Sequence, residues 1–269
     1  MIRLIVSDID GTLVPEGGSL LNPEYMTVIR ELTDRGVRFA AASGRQATSI
    51  DVIFHELQDR VYYLGDNGAC ILRGGETLKA MYLKEEDLRA LLKDLRSIPD
   101  HQMLLSVEEG YYTDDPDEAF HRLVFEEYKG IGKVVDCMED YADVCIKLSL
   151  YCEQGARKIY DRFYDRWKDK FTIYVSGAKW VDINAPGVTK GEAVRWLQEK
   201  YRIMPEETVV FGDNYNDISM MMQAGLSYAS ELSGPDIKKA AERVVESYEK
   251  DGVLKVLKQI LEEVRESAK

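Results

Sequence analysis

The 269-residue sequence predicts an α/β protein: a doubly wound parallel sheet with an α+β insert set into it. Three observations predict it. Strand and helix patterns alternate through the first third of the chain, and the same alternation returns in the last third. The stretch between them mixes helices with consecutive strands.

The first strand is "IRLIV" with Ser7, an almost unbroken apolar run of the kind buried on both faces of a sheet. Asn22 and Pro23 open a helix that runs to Asp34, where Gly36 stops it. "VRFAAAS" (37–43) reads as a second buried strand, followed by a helix over 46–57 and a third strand at 60–65. In the last third, a helix over 190–201 precedes the strand "TVVFG" (208–212). A helix over 217–224, a strand at 226–229, a helix over 235–242, a strand at 243–246 and an amphipathic helix over 252–265 complete the pattern.

The middle contains the helices "EEDLRALLKDLRS" and "GARKIYDRFYDRWKD" and the strands "VCIKLSLYC", "KFTIYVS" and "KWVDINA". Ser176-Gly177-Ala178 joins the last two as a hairpin turn. The core, Rossmann-like in its winding, is therefore expected over 1–83 and 185–269, with the insert over 84–184.

Composition narrows the function classes. With 45% apolar and 31% charged residues, the chain has globular composition, not that of a disordered segment. A formal net charge of −13 argues against nucleic acid and anionic membranes as partners, although a local cationic pocket can still take a small anion. Cys70, Cys137, Cys145 and Cys152 are scattered without a C-x-x-C pair, as in a reduced protein. The chain enters its first strand at once, and no apolar run is long enough for a membrane span, so the expectation is cytoplasmic. The sequence names no oligomeric partner.

Four clusters carry chemistry. In "DIDGT", Asp8 and Asp10 sit at the end of the first strand, where two close carboxylates repel each other. The bland reading is an Asp-Gly turn. A calcium loop would need glycine at its sixth position, which counted from Asp8 is Leu13. The functional reading is one ionised carboxylate attacking an electrophile while its neighbour serves as acid and then base. In "GDNYNDISMM", Asp213 lies at the end of another strand, Asn216 is placed to cap the next helix, and Asp217 is a solvated turn acid in the bland reading. If the two strands adjoin, Asp8, Asp10 and Asp213 gather, and such a set calls for a cation. Its oxygen ligands suit magnesium.

"AAASGR" puts Ser43 and Gly44 at a strand-to-helix junction, whose backbone amides make an anion site. Helix capping by Ser43 is the plain alternative, and Arg45 either touches substrate or braces the loop. In "GVTKGEA", Thr189 and Glu192 form a capping box. Lys190 then opposes the helix dipole and Gly191 weakens the helix, two local costs that suggest a purpose beyond structure.

The order D-x-D-G-T, S-G-R, T-K-G and G-D-x-x-N-D resembles the four motifs of the haloacid dehalogenase superfamily of aspartate-based phosphatases. "DNGA" (66–69) and "DGVLKVL" (251–257) resemble its Cof-type branch. The resemblance implies that Asp8 is a nucleophile that becomes a phospho-aspartate, that Asp10 is the general acid/base, and that Ser43, Gly44, Asn216 and Lys190 bind phosphate. Lys190 would also neutralise the charge of the nucleophile. Mg2+ would be held by the Asp8 carboxylate, the Asp10 backbone carbonyl and the Asp213 carboxylate, with Asp217 orienting from behind; Arg45 is placed behind the site as a brace of its loop.

The large insert between Ser43 and Lys190 matches the position of the α/β cap (C2 type) in that branch. The glycine-rich loop 14–23 is longer than the usual Cof-type segment.

The implied function is a magnesium-dependent phosphatase acting on a small phosphorylated metabolite: a sugar phosphate, nucleotide or cofactor phosphate. A phosphomutase or phosphotransferase using the same phospho-aspartate is the alternative. Sugar-phosphate mutases of that superfamily, however, carry a cap after the first motif, which is absent here. A phosphoaccepting receiver would need a long-lived phospho-aspartate, which Asp10 would hydrolyse. A dehalogenase would not need Asp10 and Asp213.

Overall fold

The computed structural model describes residues 1–128 and 130–267. Among them the chain divides into two compact units, Met1–Leu78 with Thr189–Lys269 and Lys79–Val188.

The first unit begins with β1 (Leu4–Asp8), α1 (Glu24–Asp34), β2 (Arg38–Ala42), α2 (Ala47–Phe54) and β3 (Val61–Gly65). A hairpin follows, β4 (Cys70–Arg73) and β5 (Glu76–Ala80), which the sequence reading does not contain. Its turn is Gly74-Gly75, both at positive φ, and it extends the sheet beyond β3 by two strands, β4 antiparallel to β3 and β5 at the edge.

The second unit carries α3 (Glu85–Leu95), β6 (Gln102–Val107), β7 (Gly110–Thr113), α4 (Glu118–His121), β8 (Gly132–Val134), β9 (Lys147–Tyr151), α5 (Ala156–Trp167), β10 (Thr172–Val175) and β11 (Trp180–Asn184). Its six-stranded sheet has the order β10-β11-β9-β6-β7-β8. The hairpin at Ser176–Ala178 pairs β10 with β11 as expected, whereas β6, β7 and β8 go beyond the sequence reading. One face of this sheet alternates Met103, Leu105, Leu148, Leu150, Val181 and Ile183 into a core with Leu88, Leu92 and Phe163 from the helices.

The chain returns to the first unit through α6 (Lys190–Tyr201), β12 (Thr208–Gly212), α7 (Ile218–Met221), β13 (Leu226–Ser230), α8 (Pro235–Ala240), β14 (Arg243–Val245) and α9 (Gly252–Ser267). The eight-stranded sheet has the order β14-β13-β12-β1-β2-β3-β4-β5. β1 is central, with β2 and β12 parallel on either side; Asp8 pairs with Ala42, and Ser7 with Phe211.

Strand parity explains the two layers. Leu4, Val6, Ala40, Ala42 and Val210 face α6 and α7 through Ala193, Val194, Leu197, Met220 and Met221. Ile5, Phe39, Val209 and Phe211 are buried on the opposite parity. In the remaining helices, α1 packs on β2 and on α9, and the Leu254 amide donates to the Tyr25 hydroxyl at 3.1 Å. The four cysteines are free thiols, three of them buried.

Candidate active site

Chain order reverses between β1 and β12. The chain runs outward from β1 through β2 and β3 on one side, and from β12 through β13 and β14 on the other. A crevice at the carboxyl ends of the strands belongs at such a switch point. Three sequence clusters meet there because their strands are neighbours: Asp8 ends β1, Ser43 follows β2, and Asp213 follows β12.

After Asp8 the chain turns tightly. The amides of Leu13 and Val14 donate to the Ile9 carbonyl, and the Gly11 amide donates to the Val14 carbonyl at 2.7 Å. This turn directs Thr12 back to Asp213, whose Oδ1 accepts from the Thr12 hydroxyl at 3.0 Å. Thr12 belongs to the D-x-D-G-T motif, but its partner lies 201 residues away at the end of the neighbouring strand, beyond any local pattern.

Lys190, 2% exposed, reaches the site from the first turn of α6. Its Nζ donates to Asp8 Oδ1 at 2.5 Å and to Asp217 Oδ1 at 2.6 Å. Thr189 caps the helix, its hydroxyl accepting from the Glu192 amide at 3.1 Å, but the Glu192 carboxylate pairs with Arg195 and does not close the expected box. Gly191 has a packing reason: a Cβ there would lie 2.3 Å from the Ser219 carbonyl oxygen, so only glycine lets α7 approach this closely.

Asp217 is buried, not the solvated acid of the bland reading. Its Oδ2 accepts from the amides of Asp213 and Asn214 at 2.9 and 3.0 Å, and its Oδ1 takes Lys190. Both oxygens are thus engaged in holding the β12 loop and orienting the lysine.

Asn216 is not the N-cap of the following helix. The N-cap of α7 is Asp217, without a side-chain bond, and Asn214 caps the short 3-10 turn Tyr215–Asp217 that leads into it, forming a reciprocal box with Asp217. Asn216 instead donates from Nδ2 to Asn67 Oδ1 at 3.2 Å, while its Oδ1 is buried with no hydrogen-bond partner. Asn67, in the "DNGA" turn, is the second of two consecutive non-glycine residues at positive φ, Asp66 and Asn67. Its amide donates to the Ser43 carbonyl at 2.9 Å, tying the loop after β2 to the loop after β12.

Ser43 does not cap α2, whose N-cap is Gln46 without a side-chain bond. The Ser43 hydroxyl accepts from the Arg45 amide at 3.0 Å and lies 3.5 Å from Asp10 Oδ2. Gly44 is half-buried in the bend between β2 and α2. Arg45 binds Asp10 through Nε, 2.8 Å from Oδ2, and through Nη2 to Oδ1.

Single carboxylate oxygens of Asp8, Asp213 and Asp217 lie within 4.8 Å of one another. Burial, then the Asp217 charge, pushes Asp213 up to about 6. The same two causes raise Asp8 well above the ordinary carboxylate range, with Lys190 pulling it partly back. Burial alone would lower Lys190, but Asp217 and Asp8 override it and hold the ammonium charged. With Asp217 committed on both oxygens, Asp8 and Asp213 are the carboxylates left to hold a hard cation, and a single ammonium does not neutralise the set.

A parallel-sheet switch point furnished with strand-end carboxylates and a buried ammonium defines a class, the α/β enzymes built around an acidic catalytic centre. The chain belongs to the haloacid dehalogenase-like hydrolase family, whose model matches residues 5–257. It is 26% identical over 261 residues to the 5-amino-6-(5-phospho-D-ribitylamino)uracil phosphatase YbjI of Escherichia coli, covering 97% of this chain and 96% of that protein. It is 24% identical over 257 residues to YcsE of Bacillus subtilis, a phosphatase of the same name, covering 96% and 95%. A crystal structure of a protein from Eubacterium rectale superposes with a TM-score of 0.89 at 31% identity, over 96% of this chain and 99% of that one. No helix among the described residues is long and apolar enough to cross a membrane.

Proposed function

We propose that the chain is a magnesium-dependent phosphomonoesterase that hydrolyses a small phosphorylated metabolite through a phospho-aspartate at Asp8. The observation that carries this reading is the Asp8 carboxylate at the end of the central strand, with Lys190 at 2.5 Å and Asp213 beside it. Asp8 attacks phosphorus, the bond to the leaving oxygen breaks, and that oxygen takes a proton from Asp10. Water then attacks the phospho-aspartate, gives its proton to Asp10, and phosphate leaves as the Asp8 carboxylate is restored.

Lys190 holds positive charge against the nucleophile and the transferred group, while Ser43, the Gly44 amide and Asn216 are read as donors to its oxygens. The donor set fits a magnesium ion held by the Asp8 and Asp213 carboxylates and the Asp10 carbonyl. When bound, the ion would neutralise the acids and polarise the phosphoryl oxygens. The insert, 84–184 in the sequence reading, is proposed as a C2-type cap that selects the leaving group.

Two relatives named for a phosphorylated ribitylaminouracil make a phosphorylated polyol the first substrate to try. Purified protein is expected to hydrolyse p-nitrophenyl phosphate and to lose turnover on chelation or on Asp8→Asn. Metal-free turnover in the variant would reject the assignment. In labelled water, the released phosphate should carry the label, and transfer to a second hydroxyl without label would favour a phosphotransferase.

A further inference from the structure

Asp10 is held from two directions, neither of which the reaction steps above require. The Arg45 guanidinium lies along the carboxylate, Nε to Oδ2 at 2.8 Å and Nη2 to Oδ1. From the glycine-rich loop, the Gly17 amide donates to Asp10 Oδ1 at 2.9 Å, and the Gly18 carbonyl accepts from Arg45 Nη2 at 2.8 Å. The three groups close a ring: loop amide to carboxylate, carboxylate to guanidinium, guanidinium to loop carbonyl.

Both ends of the ring are anchored. The Arg45 amide donates to Ser43 Oγ, and its carbonyl accepts from the Asp66 amide at 2.8 Å. The Gly18 amide donates to the Pro15 carbonyl at 2.8 Å in a turn that puts Gly17 at φ +74. A guanidinium fork fixes the plane of a carboxylate as a lysine ammonium cannot. Nε and Nη2 of Arg45 are committed to this ring.

We propose that Arg45 and the loop Pro15–Gly18 form a clamp that sets the position of the Asp10 carboxylate. Both are then positioning residues that act through Asp10 and not on the phosphoryl group. The inference rests on reading Asp10 as the proton carrier, and it gives the departing loop 14–23 a part in the chemistry.

The test compares two esters on the full-length protein with magnesium. The p-nitrophenolate of p-nitrophenyl phosphate departs without a proton, whereas the alkoxide of an alkyl phosphate such as glycerol phosphate needs one. In Arg45→Lys, kcat/KM for the alkyl ester is expected to fall about 100-fold, at least tenfold more than for the aryl ester, because a small misplacement of the acid is costly. Gly17→Ala serves as a second variant. Its added methyl has no atom within 4 Å, so it perturbs the loop only through the positive φ, and the same selective loss is expected.

An equal loss on both esters in the two variants, or no loss, overturns the clamp. A wild-type protein that hydrolyses neither ester overturns the phosphatase reading first, and the clamp with it. An active wild type whose variants lack selectivity overturns the clamp alone.

Discussion

Asp213 occupies the space in front of Gly11: an ideal Cβ on Gly11 would lie 2.4 Å from Asp213 Oδ2. Gly11 is also at φ +79, where an L side chain is strained. The acid at the end of β12 can therefore approach the turn after β1 only because that turn carries no side chain.

Gly11→Ala is predicted to displace Asp213 while leaving the rest of the sheet intact. Magnesium-dependent turnover should fall by about two orders of magnitude, with the concentration of magnesium giving half activity raised. Titration of activity against Mg2+, with circular dichroism as the fold control, checks this. An unchanged magnesium requirement would mean that Asp213 is not a ligand.

Lys190→Met should cost stability as well as activity. The ammonium is buried between Asp8 and Asp217, and its removal leaves two buried carboxylates without their cation, a loss of about 3–5 kcal/mol at pH 7. The penalty should shrink toward pH 5, because burial already raises Asp8 and lets it take up a proton there. Urea unfolding at the two pH values measures it, and equal losses at both would contradict the pairing.

The acids also predict how magnesium stabilises the fold. Burial first, then the Asp217 charge, holds Asp213 at about 6 and raises Asp8. The folded chain therefore binds more protons at these sites than the unfolded chain; the Asp213 contribution to stability is lost as pH rises from the ordinary carboxylate range through about 6, and that of Asp8 is lost in the same direction. Surface acids held low by arginine, such as Glu139 beside Arg96, act in the opposite sense, so the magnesium-induced change is the clean readout. The rise in Tm on adding Mg2+ should be larger at pH 7 than at pH 5, and Asp213→Asn should flatten that dependence. A shift of equal size at both pH values would sink the prediction.

The sequence exposed the site where local pattern and chemistry coincide. Asp8 and Asp213 each follow an apolar run, so their places at strand ends could be read before the strands were known to adjoin. Ser43 and Lys190 sit at equally legible junctions. Asn216 is no cap because a 3-10 turn over Tyr215–Asp217, boxed between Asn214 and Asp217, precedes α7 and puts Asp217 at its N-cap.

Gly191 looked costly within its helix because the Ser219 backbone it accommodates is 28 residues away. The Arg45–Asp10 pair and the Asn67–Asn216 pair join segments 35 and 149 residues apart, beyond any local pattern. The strands β4 to β8 are short, three to six residues, and their pairing is decided by tertiary neighbours more than by propensity.

The most direct measurement is chemical quenching of the magnesium-loaded protein during turnover, followed by mass analysis of its peptides. One added phosphoryl group on Asp8, absent in Asp8→Asn and after chelation, is the predicted result. Continued turnover with no phosphorylated Asp8, or with the group on another residue, would contradict the account.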